Sequence, residues 1–126
     1  MRILLDSHVV LWWLDDSAEM GPRCRELIRH ADEAFVSAVT PWELGIKRAL
    51  GKLTMPAGLV DEFESAGFVS LSIAAAHAEV APALPSHHRD PFDRMLVAQA
   101  QLETLVLVTA DRAFAGYEVE QFDART

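Results

Sequence analysis

A chain of 126 residues is long enough for one sizeable core, and 51% hydrophobic residues supply one with material left for a buried partner surface. With 11 Lys and Arg against 19 Asp and Glu, the net charge of −8 excludes broad nonspecific binding to nucleic acid, yet leaves room for an acidic site that a cation neutralises. Cys24 is the single cysteine, which excludes an internal disulfide and fits a reducing compartment, the cytoplasm; no apolar run reaches the roughly 18 residues of a membrane span.

The chain opens directly on an apolar strand and lacks the pattern of a signal peptide. Residues 2–6, Arg-Ile-Leu-Leu-Asp, read as a buried strand ending in an acid, as in a parallel sheet covered on both faces. Ser7 can cap a following helix, His8 to about Leu14, that is apolar nearly all round. A second helix, Pro22 to Ala31, turns Cys24, Leu27 and Ile28 inward and Arg23, Arg25 and Arg29 to solvent. Residues 34–37 form a second strand. Thr40-Pro41-Trp42-Glu43 has the pattern of a capping box with Pro at the first helical position, opening a helix that stops at Gly51 and exposes Lys47, Arg48 and Lys52.

Residues 57–66 read as a helix, 68–71 as a strand, and Ile73 to Ala81 as a helix ended by Pro82 and Pro85. Asp90 is a good N-cap, Pro91 suits the first helical position, and the apolar helix runs to Glu103. Asp93, at its third position, meets the positive end of the helix dipole. Residues 105–109 are the most strand-like run, Asp111 follows within two residues, and a last strand is expected at 118–122. The alternation predicts one α/β domain over residues 1–126, with a mainly parallel sheet of four to five strands flanked by helices.

Four acids stand out in that topology. Asp6 ends the first strand, Asp111 follows the fourth main strand, and Glu43 and Asp93 open two helices. Helices returning between parallel strands start at the strands' carboxyl edge, so all four are predicted at one edge, where ligands bind in such sheets. Two such charges about 4 Å apart repel by roughly 4 kcal/mol at an effective dielectric near 20, which a divalent cation relieves. Oxygen ligands select hard ions, Mg²⁺ or Mn²⁺, which activate water for attack on phosphate. Ser7 and Thr109 can orient a carboxylate or a water, or simply cap a helix and end a strand. His8, His30 and His77 fall in separate helices, so no zinc-type set is expected. His87 and His88 read as a solvated loop that could contact substrate. Trp12, Trp13 and Trp42 read as core or interface rather than as base-stacking platforms.

Leu-Leu-Asp6-Ser-His, Val-Ser-Ala-Val-Thr-Pro-Trp-Glu43-Leu-Gly-Ile-Lys, His88-Arg-Asp-Pro-Phe-Asp93-Arg-Met-Leu-Val-Ala-Gln-Ala and Leu-Val-Thr109-Ala-Asp111 together resemble a PIN domain, more narrowly the VapC toxins of bacterial type II toxin–antitoxin pairs. The likeness covers nearly the whole chain; Ser7 stands where close relatives often have Thr. It implies a three-layer PIN-like fold and a Mg²⁺-dependent endoribonuclease that halts translation by cutting transfer or ribosomal RNA. It also implies a VapB-like antitoxin and a toxin homodimer, free or within a toxin–antitoxin hetero-oligomer. Asp6 and Asp93 would be the principal metal ligands, with Glu43 and Asp111 completing the pocket directly or through water. Arg94, Arg112, Lys47 and Arg89 are the candidate RNA contacts, with ion pairing to nearby acids the other role open to Arg94 and Arg112.

Two further readings compete. A phosphatase with an aspartyl nucleophile normally has a second acid two residues after the first, where this chain has His8. A binding module whose acids merely cap helices predicts no effect of metal.

Overall fold

The apolar runs Ile-Leu-Leu and Val-Leu-Val-Thr become the central strands, because neither of their faces meets water in this computed structural model, which describes residues 1–55 and 57–126. Strand β1 is Arg2–Leu5, β2 Glu33–Ser37, β3 Val69–Leu71, β4 Val106–Thr109 and β5 Gln121–Asp123. All pair in parallel in the order β3-β2-β1-β4-β5, with Leu5 beside Val36 on one side and Val108 on the other. The helices are α1 Ser7–Leu14, α2 Pro22–His30, α3 Val39–Ala49, α4 Leu59–Ser65, α5 Ala75–Val80 and α6 Pro91–Glu103.

Strand side chains alternate between two cores, as the pleat requires. Ile3 and Leu5 pack with Val9, Cys24, Ile28 and Phe63, whereas Leu4 packs with Phe35, Val39, Leu96 and Phe114. The sheet is therefore covered on both faces, giving the three-layer α/β architecture expected. No helix among the described residues is long and apolar enough to cross a membrane.

Several expected boundaries moved, each for a physical reason. Strand β1 stops at Leu5, and Asp6, not Ser7, caps α1 by accepting a hydrogen bond from the Val9 N–H at 3.0 Å. Helix α3 begins at Val39, two residues before Pro41, with the Ser37 Oγ accepting from the Val39 N–H at 3.1 Å. The expected capping box does not form. Val39, only 2% exposed, gains more from packing beside Leu4, Phe35 and Leu96 than Thr40 would from capping, and the buried Thr40 Oγ1 has no hydrogen-bond partner among the described residues. Helix α4 starts at Leu59 rather than residue 57, because Gly58 turns the chain through the left-handed region at φ 83°. Helix α5 is shorter than expected, and Pro82 lies inside a 3₁₀ turn, Ala81–Ala83. Strand β5 lies at 121–123 instead of 118–122; an edge strand of three residues, none of them fully buried, carries little pattern to read.

Candidate active site

The order β3-β2-β1-β4-β5 places the reversal of chain direction across the sheet between β1 and β4, and α/β sheets open their crevice beyond the carboxyl ends of the strands there. Asp6 follows β1 directly and Asp111 follows β4 by two residues. Both line a cavity of about 280 Å³ with His8, Trp12, Arg112 and Arg125. Glu43 enters from the second turn of α3, and Asp93 from the first turn of α6, whose Asp90 cap accepts from the Phe92 and Asp93 N–H groups at 2.8 and 3.2 Å.

Each acid is held by a donor that the sequence keeps nearby or far away. The Thr109 hydroxyl donates to the Asp6 Oδ2, and the Ser7 hydroxyl donates to the Glu43 Oε1 at 2.5 Å. Both hydroxyls thus orient carboxylates, and neither is a mere strand end or helix cap. Lys47 donates to the Glu43 Oε2 at 2.9 Å. The His88 Nε2 lies 2.6 Å from the Asp93 Oδ2. Asp111 caps a 3₁₀ turn, Arg112–Phe114, accepting from the Ala113 N–H at 2.9 Å, and its own N–H donates to Thr109 at 3.0 Å.

The acids feel one another in a chain: Asp111 acts on Asp6, and Glu43 and Asp90 on Asp93. One ligand atom each from His88, Asp93 and Asp111 lies within 4.8 Å of the other two. Burial raises the Asp6 carboxyl above its ordinary range against the opposing Thr109 and Val9 hydrogen bonds. Burial, reinforced by Asp90 and Glu43, pushes Asp93 up to about 7 although His88 opposes the rise. The bond to Glu43 raises the Lys47 ammonium.

These shifts fix the sign of a pH effect. Asp93 keeps its proton in the fold up to about pH 7, whereas the unfolded carboxyl loses it near its ordinary 3.8. Between those values the fold binds more protons than the unfolded chain, so this contribution to stability is full below the lower value and is lost as pH rises through the upper one. In chelator, urea melts at pH 5 and pH 8 are expected to show a fall in stability that shrinks in Asp93→Asn. An equal fall in both proteins would remove Asp93 as its source.

Of the expected cations, Arg112 and Arg89 are exposed and have no ion pair among the described residues. Arg94 and Lys47 are committed elsewhere. Among the described residues Arg94 pairs with no acid, yet it does not stand free. Its guanidinium donates to the carbonyls of Pro82 at 3.2 Å, Leu84 at 2.8 Å, Pro85 at 3.1 Å and His88 at 3.0 Å. The Tyr117 hydroxyl donates to the Pro85 carbonyl at 2.8 Å and accepts from the His88 N–H at 2.9 Å. His88 is therefore no solvated loop residue: its backbone is held at both N and O, and its ring meets Phe114 edge-on at 5.8 Å. Sequence reasoning missed this pair, since Tyr117 stands 29 residues away. Lys47, expected on the exposed side of its helix and as an RNA contact, is instead paired with Glu43, and the signal lay in the sequence, since Glu followed four positions later by Lys is a helix ion-pair spacing. Trp42 is 62% exposed and touches Phe92 edge-on at 5.1 Å, so it is not core in this chain; Trp12 and Trp13 are partly buried against the first core.

Comparison with known proteins adds to this geometry. The PIN domain family matches residues 3–120. Ribonuclease VapC22 of Mycobacterium tuberculosis is 35% identical over 118 residues, covering 87% of each chain. Among solved structures, VapBC2 from Rickettsia felis bound to a promoter DNA fragment is similar at a TM-score of 0.71 and 12% identity, over 98% of both chains. DNA-bound VapBC from Salmonella typhimurium is similar at 0.70 and 15%, again over 98% of both. A toxin–antitoxin complex from Klebsiella pneumoniae is similar at 0.64 and 21%, over 92% of both. At such identities the solved structures speak for the fold.

Proposed function

Because this chain belongs to the PIN domain family, and within it to the VapC-type ribonucleases, we propose that it is a metal-dependent endoribonuclease, the toxin of a toxin–antitoxin pair that halts translation in the cytoplasm by hydrolysing a phosphodiester bond in transfer or ribosomal RNA. The observation that carries this reading is the convergence of Asp6, Glu43, Asp93 and Asp111, from four separate segments, on the edge where the chain reverses across the sheet. Capping alone does not account for it. Asp6 uses one oxygen on α1 and the other on Thr109, at the end of the neighbouring strand β4, while Glu43 caps nothing. The phosphatase reading loses support, since His8 stands where its second acid would be and no acid replaces it on α1.

The donor set fits a divalent cation: burial, with Asp90 and Glu43 adding to it, lifts Asp93 to about 7, and ligand atoms of His88, Asp93 and Asp111 lie within 4.8 Å of one another. Asp6 and Asp93 would hold the ion, with Glu43 and Asp111 completing the pocket directly or through water. Bound there, Mg²⁺ or Mn²⁺ supplies an activated water and offsets the charge that builds on phosphate. The protein's part is to keep the carboxylates aimed. Thr109 and Ser7 fix two of them, and Lys47 offsets the charge of Glu43 until cation and RNA arrive. Of the four candidate contacts, Arg112 and Arg89 are the two with no ion pair among the described residues, free to meet the RNA backbone.

For partners, a VapB-like antitoxin follows from the family, and a homodimer fits the stripe of Trp42 and Ile46 exposed on α3 and of Leu50 just past its end. Thermal melts test the metal. A cation that binds only the fold adds about 2.7 kcal/mol at 100 times its dissociation constant, so Mg²⁺ or Mn²⁺ is expected to raise the melting temperature of stripped protein. No shift with either ion up to tens of millimolar would remove the metal from the proposal. Cleavage of purified RNA by stripped and reloaded protein tests the function itself.

A further inference from the structure

The cluster nearest to a ligand set is not made of acids alone. His88, Asp93 and Asp111 each offer one atom within 4.8 Å of the others, and the residue that carries the imidazole has its backbone held on both sides. Tyr117 holds the His88 N–H at 2.9 Å, Arg94 holds its carbonyl at 3.0 Å, and Phe114 meets the ring edge-on. Its Nε2 faces the Asp93 Oδ2 at 2.6 Å. A ring anchored in this way and aimed into a crowd of carboxylates occupies the position of a ligand. Two ligands of one ion bound at about 2.1 Å stand roughly 3 Å apart when adjacent, so a small opening of the His88–Asp93 pair admits the cation between them.

We propose that His88 is a nitrogen ligand of the cation held at this site, and that it turns an otherwise all-carboxylate pocket from Mg²⁺ toward Mn²⁺. This rests on the metal-dependent reading above and adds a donor to it. Coordination needs the Nε2 lone pair, so the ring's one proton moves to Nδ1, which makes no hydrogen bond among the described residues. Imidazole suits first-row transition ions and is a poor partner for Mg²⁺, whereas carboxylates accept both Mg²⁺ and Mn²⁺. Arg94 and Tyr117 are then positioning residues: they act on the metal only through the place they give His88.

The test uses Mn²⁺ alone as probe on the stripped full chain. Pulsed electron paramagnetic resonance of the Mn²⁺-loaded protein is expected to show coupling to a ¹⁴N nucleus in the wild type and in His87→Gln, and none in His88→Gln. Direct titration is expected to show Mn²⁺ affinity falling about tenfold or more in His88→Gln, with Mg²⁺ affinity much less changed. Mn²⁺ bound in the wild type without nitrogen coupling would overturn the assignment while leaving the metal site standing. So would affinities for both ions that fall by the same factor, which is the signature of a His88 that only orients Asp93. A wild type that binds neither Mn²⁺ nor Mg²⁺ would overturn the metal reading and this inference together, and one that binds Mg²⁺ but not Mn²⁺ would overturn this inference alone. The coupling is read in unmutated protein, so the result does not depend on a variant folding.

Discussion

Asp93→Asn is expected to leave the metal-free protein at least as stable as the wild type, to shrink the stabilisation by Mg²⁺ or Mn²⁺, and to abolish RNA cleavage. If Asp93 served only the dipole of α6, losing its charge would cost about 0.3–1 kcal/mol and activity would survive. The surroundings predict the opposite sign. Burial, Asp90 and Glu43 all disfavour the ionised carboxylate, strongly enough to push it to about 7. Removing a like charge at such range relieves up to a few kcal/mol before screening. Asn fills the same space, and its Oδ1 can still accept from the His88 Nε2, so misfolding would not explain a loss of cleavage. Urea melts in chelator and cleavage on the same preparation decide the matter. A variant that is less stable yet still cuts RNA would return Asp93 to a capping role.

Arg94→Ala is expected to be the most destabilising single change near the site, by roughly 2–4 kcal/mol. One planar fork satisfies four backbone carbonyls between Pro82 and His88; the Tyr117 hydroxyl also reaches those of Pro85 and His88, but among the described residues no other side chain donates to those of Pro82 and Leu84. Arg94→Lys is expected to recover little, because an ammonium on a flexible stem cannot span donors set that far apart. Equilibrium unfolding in urea gives the number, and a loss below about 0.5 kcal/mol, the usual range for a surface substitution, would contradict the clamp.

How far the sequence carries depends on whether a segment's partners are local. Helix α6 was legible to both ends, since its cap, its Pro at the first position and its apolar body all lie within one run. The central strands were legible because burial on both faces leaves a continuous apolar signature. The edge strand β5 and the start of α3 were not: a short one-sided strand has no pattern, and the pull that starts α3 early is the burial of Val39 against β1, β2 and α6. The neighbourhood of Asp6 with Asp111, and of Glu43 with Asp93, could be expected from topology alone, since parallel strands and returning helices share an edge. His88 could not. Its side chain reads as polar loop, and what turns it inward is a tyrosine far along the chain and an arginine whose own sequence neighbours suggest an ion pair. Arg94 was misjudged for the same reason, because backbone carbonyls carry no signature in a sequence.

Cleavage of purified transfer and ribosomal RNA by chelator-stripped protein, before and after Mg²⁺ or Mn²⁺ is restored, tests most directly whether the acid cluster is a metal-dependent ribonuclease site. Stripped protein is expected to leave the RNA intact, reloaded protein to cut it at defined positions, and reloaded Asp93→Asn to leave it intact. Cutting that continues undiminished in chelator, or that Asp93→Asn performs as well as the wild type, would contradict it.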